Sequence, residues 1–408
     1  MRRIGYGWAA AALALSCAPA ATAHARAHAL VSVGYRTPSA LHGLRVVERV
    51  PALHVAEVRV AGPGAEAQLR RRPGIRFVQD VRARTRSGTP SFQISASAAL
   101  QEWQWAASGE NDVPAWVQQA ASRVTIAVVD TGADLTVPAF AGRTVTSWNV
   151  VTGSPAVSDD VGHGTFVASL AAGSISTPNG MLGFGGDAQL MVVQANSHGS
   201  TGFTDVDEAH AIVWAVDHGA NIVNLSIGGS QTSATERAAV QYALSRGVLL
   251  VAAAGNSALA GNPLVYPAAL IGRNGLVVGA ADSAGRRASF STTGSYVDLL
   301  APGVGVLGAL PSGISTGSLF LAAVTPGANG SYGLGTGTSY AAPEVAGAAA
   351  LVMAANPSLS AAQVAATLDG SASGGGHWTT DRAFGNLDVA AAVQRALGAP
   401  APKPKRKR

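Results

Sequence analysis

Gly335-Thr336-Gly337-Thr338-Ser339-Tyr340-Ala341-Ala342-Pro343-Glu344-Val345-Ala346-Gly347 sets one serine among small residues, directly before the Ala-rich run 341–355. That run reads as a buried helix. Ser339 therefore stands at a helix entrance, where free backbone N–H groups and the helix dipole favour negative charge. A serine that attacks a carbonyl creates an oxyanion and needs such a place. Pro343 fits near a helix start, where few N–H bonds are lost. Gly-Thr-Ser is equally an ordinary loop-to-helix cap, so the stretch alone leaves both readings open.

Working outward, strands and helices alternate from residue 123 on. Residues 124–129, 190–194, 222–225, 248–253 and 276–280 are short apolar runs. Helical stretches at 164–172, 205–218 and 235–246 separate them. Continuous apolar strands between helices predict an α/β fold, a parallel sheet covered on both faces. Chemistry in such sheets gathers at the carboxyl ends of the strands.

Three more residues meet that condition. Asp130 ends the first of these strands, His163 lies between two glycines before a helix, and Asn256 follows Ala253-Ala254-Gly255. Each has a plain alternative: a strand-to-turn acid, a helix-start histidine, a Gly-Asn turn. Asp159 and Asp160 read as helix-start acids. Taken together, the four supply what acyl transfer by serine requires: a nucleophile, a base, an acid that orients the base, and oxyanion donors.

The chain ahead of this body divides further. Arg2-Arg3, an apolar run 8–15 and Ala21-Thr22-Ala23-His24-Ala25 form a signal peptide over residues 1–25. Its removal takes away Cys17, the one cysteine, so no internal disulfide is expected. Residues 29–83 predict a small α+β unit with strands at 29–36, 44–50, 54–60 and 75–81 and a helix at 64–72. Residues 84–112 read as a linker, with Trp103, Trp105 and Trp116 as packing anchors. Net charge is +8 over residues 1–110, −8 over 111–398 and +5 over the last ten. A basic front thus complements an acidic body, and no basic helix in the body suggests nucleic acid.

With these residues in view, the chain resembles the subtilisin-like serine proteases. The matching stretches are Val129-Asp130-Thr131-Gly132, Gly162-His163-Gly164-Thr165, Asn224-Leu225-Ser226-Ile227-Gly228, Ala253-Ala254-Gly255-Asn256 and Gly337-Thr338-Ser339-Tyr340-Ala341-Ala342-Pro343. Ala301-Pro302-Gly303 and Phe384-Gly385-Asn386-Leu387-Asp388 also match. The resemblance implies a parallel sheet sandwiched by helices, preceded by an inhibitory α+β propeptide. It implies domains at 26–90 (propeptide), 91–115 (linker and start of the mature enzyme) and 116–398 (catalytic), with 399–408 a basic tail.

By the same resemblance Ser339 attacks, His163 is the base, Asp130 orients it, and Asn256 with the Ser339 N–H binds the oxyanion. Ser226, Ile227 and Gly228 pair with substrate as an added strand. Ala253, Ala254 and Gly255 line the facing wall, and Val265 lies at the pocket floor. Small uncharged walls imply an apolar or small residue before the scissile bond. The implied protein is a secreted, monomeric endopeptidase made as a zymogen, whose partners are peptide substrates and its own propeptide. No nucleic acid and no transmembrane segment are expected. The tail, which holds every lysine, is a solvated end or a contact to an anionic cell surface. A narrow processing protease for one partner and a catalytically silent peptide-binding protein remain as alternatives.

Departures from the family pattern are Tyr340 for a common Met, Glu344 for a common His, and Ala139 where a calcium-binding Asp often stands. Asn179-Gly180-Met181-Leu182 matches the remaining calcium loop loosely. No cofactor is expected for the chemistry, and a structural calcium is doubtful. Residues 310–335, rich in Gly, Ser and Ala, read as an inserted surface loop.

Overall fold

The computed structural model describes residues 29–86, 102–174, 183–197, 200, 202–314, 322–327, 330–373 and 384–398. The expected signal peptide, the 179–182 loop and the basic tail lie outside these residues.

The front unit is an antiparallel sheet of β1 (Ala29–Tyr35), β2 (Arg45–Val50), β3 (Val55–Val60) and β4 (Ile75–Asp80), in the order β2-β3-β1-β4. Helix α1 (Pro63–Arg70) starts with proline at its first turn and packs Leu69 on Val31, Val33, Val58 and Val60. A further strand, β5 (Ala83–Arg86), occupies the start of the expected linker. Its sequence carries no apolar strand pattern; it is a strand because edges from the body pair with it. Helices α2 (Trp103–Ala107) and α3 (Ala115–Ala120) follow. Trp105 is buried and Trp103 Nε1 donates to the Gly305 carbonyl at 3.1 Å, but Trp116 is 52% exposed.

The body continues through β6 (Thr125–Asp130), β7 (Val145–Asn149), α4 (His163–Ala172), β8 (Gln189–Gln194), β9 (Gly202–Thr204), α5 (Asp205–Asp217), β10 (Ile222–Leu225) and β11 (Ile227–Gly228). Then come α6 (Ala234–Ser245), β12 (Leu249–Ala253), α7 (Ala268–Ile271), β13 (Leu276–Ala281) and β14 (Leu299–Pro302). Seven strands form a parallel sheet in the order β14-β13-β12-β10-β6-β8-β7. Alternate residues of one strand enter different cores. Ile126 and Val128 pack with Phe166 of α4, whereas Ala127 and Val129 pack with Ile212 of α5 and Val240 of α6. Covering both faces explains why the run is apolar without alternation.

Residues 304–336 contain β15 (Val304–Leu310), β16 (Ala322–Gly327) and β17 (Gly330–Thr336), an antiparallel sheet in the order β15-β17-β16. Among the described residues, the expected inserted loop is therefore largely β structure. Pro326-Gly327-Ala328-Asn329-Gly330 is a turn-rich break between two strand runs, and that signal outweighs the Gly-rich composition. Helix α8 (Thr338–Ala355) is buried over most of its length, and α9 (Ala361–Ser371) and α10 (Val389–Gly398) pack behind it. No described helix is long and apolar enough to cross a membrane.

Candidate active site

Asp130 is the last residue of β6, His163 the first of α4, and Ser339 the second of α8. Asn256 follows β12 by three positions, and Ser226 lies between β10 and β11. The parallel register that sets Leu225 beside Val129, and Ala252 beside Leu225, brings these strand ends to one edge of the sheet.

His163 Nδ1 lies 2.7 Å from Asp130 Oδ1, with His163 3% and Asp130 0% exposed. The Thr131 N–H donates to the same Asp130 oxygen at 2.7 Å. A second carboxylate ties the two loops. Asp159 accepts from Thr131 Oγ1, from the N–H groups of Val161 and Gly162, and from both the N–H and Oγ1 of Thr165, at 2.7–3.1 Å. Burial pushes the Asp159 carboxyl up while these donors pull it down. Thr131 Oγ1 in turn accepts from the Gly164 N–H at 2.8 Å. Only glycine fits at 164, since a Cβ there would sit 2.1 Å from the Gly132 carbonyl oxygen. Helix α4 thus approaches β6 closely enough to hand its first side chain to Asp130.

Ser339 and Ser226 exchange two hydrogen bonds. Ser339 Oγ donates to the Ser226 carbonyl at 3.0 Å, and Ser226 Oγ donates to the Ser339 carbonyl at 2.8 Å. Asn224 Nδ2 supports Ser226 Oγ at 2.9 Å. Asn256 is held through its side-chain oxygen, which accepts from both the N–H and Oγ1 of Thr338 at 2.9 Å. Tyr340 packs its ring 4.5 Å from Phe166 and 5.7 Å from His163, centroid to centroid, and so backs the imidazole.

Gly228 and Gly255 both close on the side chain of Val265. A Cβ on Gly228 would lie 2.8 Å from Val265 Cγ1, and one on Gly255 would lie 2.6 Å from Val265 Cγ2. Gly255 also has φ +100°, a conformation that favours glycine. Ala253 and Ala254 are fully buried beside it.

Strand β5 lies between β9 and β11. Thr85 pairs with Gly228 and Gly202, Arg86 with Ile227, and Arg84 with Phe203. Arg84 is buried between Glu208 and Glu236. The turn at Thr131 supplies the hydrogen bond that Asp130 was expected to need, and Asp159 accepts from helix-start N–H groups as expected of a helix-start acid; its tie to Thr131 Oγ1, and Thr338 as a positioning residue beside Ser339, were not read from the sequence. The sequence reading also missed Glu208 and Glu236, which look in sequence like ordinary first-turn acids.

Ala139, the described position of the doubtful calcium site, is fully buried and offers no side-chain oxygen to that ion. Among the described residues, no group of three or more His, Cys, Asp or Glu is placed to hold a metal.

Residues 121–386 match the profile of the Subtilase family. Subtilisin Savinase of Lederbergia lenta is 40% identical over 244 residues, covering 60% of this chain and 81% of that protein. The thermophilic serine proteinase of Bacillus sp. (strain AK1) is 36% identical over 239 residues, 58% of this chain; the chain spans only 54% of that relative's length. Among solved structures, fervidolysin from Fervidobacterium pennivorans, a keratinolytic enzyme related to subtilisin, superposes with a TM-score of 0.75 at 24% identity. That superposition covers 94% of this chain and 62% of fervidolysin.

Proposed function

Because the chain belongs to the subtilase family, we propose that it is a serine endopeptidase that cuts peptide bonds through Ser339, His163 and Asp130. The observation that carries this reading is the buried contact of 2.7 Å between His163 Nδ1 and Asp130 Oδ1, with the ring of Tyr340, the residue after Ser339, 5.7 Å from that imidazole. With Nδ1–H donating to Asp130, the Nε2 lone pair is the base. It takes the Ser339 proton as Oγ adds to the substrate carbonyl. It then returns the proton to the departing amine, leaving an acyl ester, and water repeats the sequence. The Asn256 amide and the Ser339 N–H receive the oxyanion, and losing one such donor costs about 3 kcal/mol of transition-state stabilisation. No cofactor enters these steps.

Ser339 Oγ here donates to the Ser226 carbonyl. A substrate residue paired opposite Ser226 competes for that carbonyl and releases the hydroxyl to His163. The walls at Gly228 and Gly255, with Val265 as floor, suit a small or medium apolar residue before the scissile bond.

The front unit is read as an inhibitory propeptide. It supports that role that β5 pairs with β9 and β11, the edges a substrate strand needs. Ser32 Oγ also meets Thr235 Oγ1 at 2.7 Å, and the Arg82 N–H donates to Asp205 at 2.8 Å. Export through residues 1–25, a monomeric mature enzyme and a surface-seeking basic tail complete the proposal.

Intact mass of the exported protein, with and without a fluorophosphonate, tests the reading beside Ser339→Ala. One adduct on the wild type and none on the variant is expected. The same spectrum reports whether the front segment has been removed. A matured chain that takes no adduct would defeat the hydrolase reading.

A further inference from the structure

Strand β5 exposes Ala83 and Thr85 and buries Arg84 between them. A buried strand position ordinarily takes an apolar side chain. Here it takes a guanidinium that is 1% exposed, and both acids that receive it belong to the body. Arg84 Nε lies 3.0 Å from Glu208 Oε2 on α5 and 3.0 Å from Glu236 Oε1 on α6. Arg84 Nη2 lies 2.9 Å from the same Glu236 oxygen. Asp205, also fully buried, opens α5 at the rim and holds the Arg82 N–H. Among the described residues, Arg84 is the one basic side chain that ion-pairs with either glutamate.

Two carboxyl groups buried against each other are costly unless a cation joins them. Once the front segment leaves, the body keeps the glutamates and loses the arginine. Any strand that then docks between β9 and β11 meets the same requirement at the same register. That register also fixes the position in the substrate. Thr85 pairs with Gly228 and Arg86 with Ile227, so one further antiparallel step sets a substrate residue opposite Ser226, whose carbonyl holds Ser339 Oγ. Counting that residue as the first before the scissile bond, Arg84 occupies the fourth place.

Resting on the endopeptidase reading above, we propose that the cleft selects substrates with arginine at the fourth residue before the scissile bond, read by Glu208 and Glu236. Lysine is a weaker fit, because Nε and Nη2 of the planar guanidinium engage the acids together and an ammonium has a single nitrogen.

The test uses the full chain, exported and allowed to mature, on peptides that differ only in Arg, Lys or Ala at that fourth place. The kcat/KM for Arg should exceed that for Ala on the order of a hundredfold, with Lys between, as expected for a desolvated charge pair. In the double variant Glu208→Gln, Glu236→Gln the Arg-to-Ala ratio should fall towards one. If that variant does not mature, a peptide-library profile of the wild type decides alone, and no enrichment of Arg at the fourth place overturns the proposal. Equal rates on the three peptides from an enzyme that takes a fluorophosphonate adduct overturn the arginine pocket and leave the endopeptidase reading standing. A matured chain that takes no adduct and cuts none of them overturns both.

Discussion

Asp130 and His163 meet through a single carboxylate oxygen, Oδ1, 2.7 Å from Nδ1, and that oxygen also accepts the Thr131 N–H at 2.7 Å. The carboxylate is thus fixed by the backbone of its own strand end before it fixes the ring. An amide in its place can turn its NH2 towards Nδ1, which stabilises the other tautomer and protonates Nε2. Asp130→Asn should therefore fold normally and lose kcat on the order of 10⁴-fold. Steady-state kinetics beside circular dichroism checks this. A loss below tenfold would mean that the imidazole does not act as the base.

Val265, the expected pocket floor, gives a second prediction. Val265 Cγ1 and Cγ2 fill the space that side chains at 228 and 255 would need, so the floor rather than the walls limits depth. Val265→Ala should raise kcat/KM for a peptide with Phe before the scissile bond relative to Ala by about tenfold, the effect of a few methylene-sized contacts. Unchanged relative rates would place the specificity determinant elsewhere.

Much of this architecture was legible in the chain, and its gaps have physical causes. The five central strands are apolar throughout because helices cover both faces. The two strands missed, β7 and β14, are the sheet's edges. Val145-Thr146-Ser147-Trp148-Asn149 is half polar, and Leu299-Leu300-Ala301-Pro302 is four residues long and ends in proline, which an edge tolerates. Asp130, His163, Asn256 and Ser339 could be picked out because each stands at a strand or helix end. Strand β5 could not, since its structure comes from β9 and β11. Glu208 and Glu236 were hidden for a related reason: the arginine that explains them lies more than 120 positions away.

The contact between the front unit and α5 should depend on pH. Glu57 on β3 is pushed up to about 7 by burial and by Glu48 and Asp205, against the pull of Arg59. Asp207 on α5 is pushed up to about 8 by burial, Glu48 and Glu57, against a hydrogen bond from Thr204. His210 pairs with Glu48 beside them. Groups that hold protons in the docked state favour docking at low pH, and that contribution is lost as pH rises through about 7 and then about 8. Full-length Ser339→Ala should accordingly show faster amide exchange over residues 45–60 at pH 9 than at pH 6, after correction for intrinsic rates. Glu57→Gln should flatten the difference. Equal corrected protection at both values would show that these carboxyls do not govern docking.

Glu344, five positions after Ser339 on α8, and Glu110 are two further buried acids. Both are 0% exposed, and none of their four carboxyl oxygens has a hydrogen-bond partner among the described residues. Burial holds both groups well above the ordinary carboxylate range, and for Glu344 the charge of Glu110 adds to the effect. The folded state therefore keeps protons that the unfolded chain releases. The stability this contributes is complete below the ordinary carboxylate range and is lost as pH rises through the raised values. Each such proton contributes a slope of about 1.4 kcal/mol per pH unit while the unfolded group is ionised and the folded one is not. Glu344→Gln keeps the shape and removes one of these protons from the balance. In a Ser339→Ala background, which prevents self-digestion, its Tm should rise relative to the parent by about 2 °C per pH unit as the pH climbs above the ordinary carboxylate range. A Tm difference that stays constant over that climb would mean that Glu344 is ionised in the fold, and that a cation or water compensates it there.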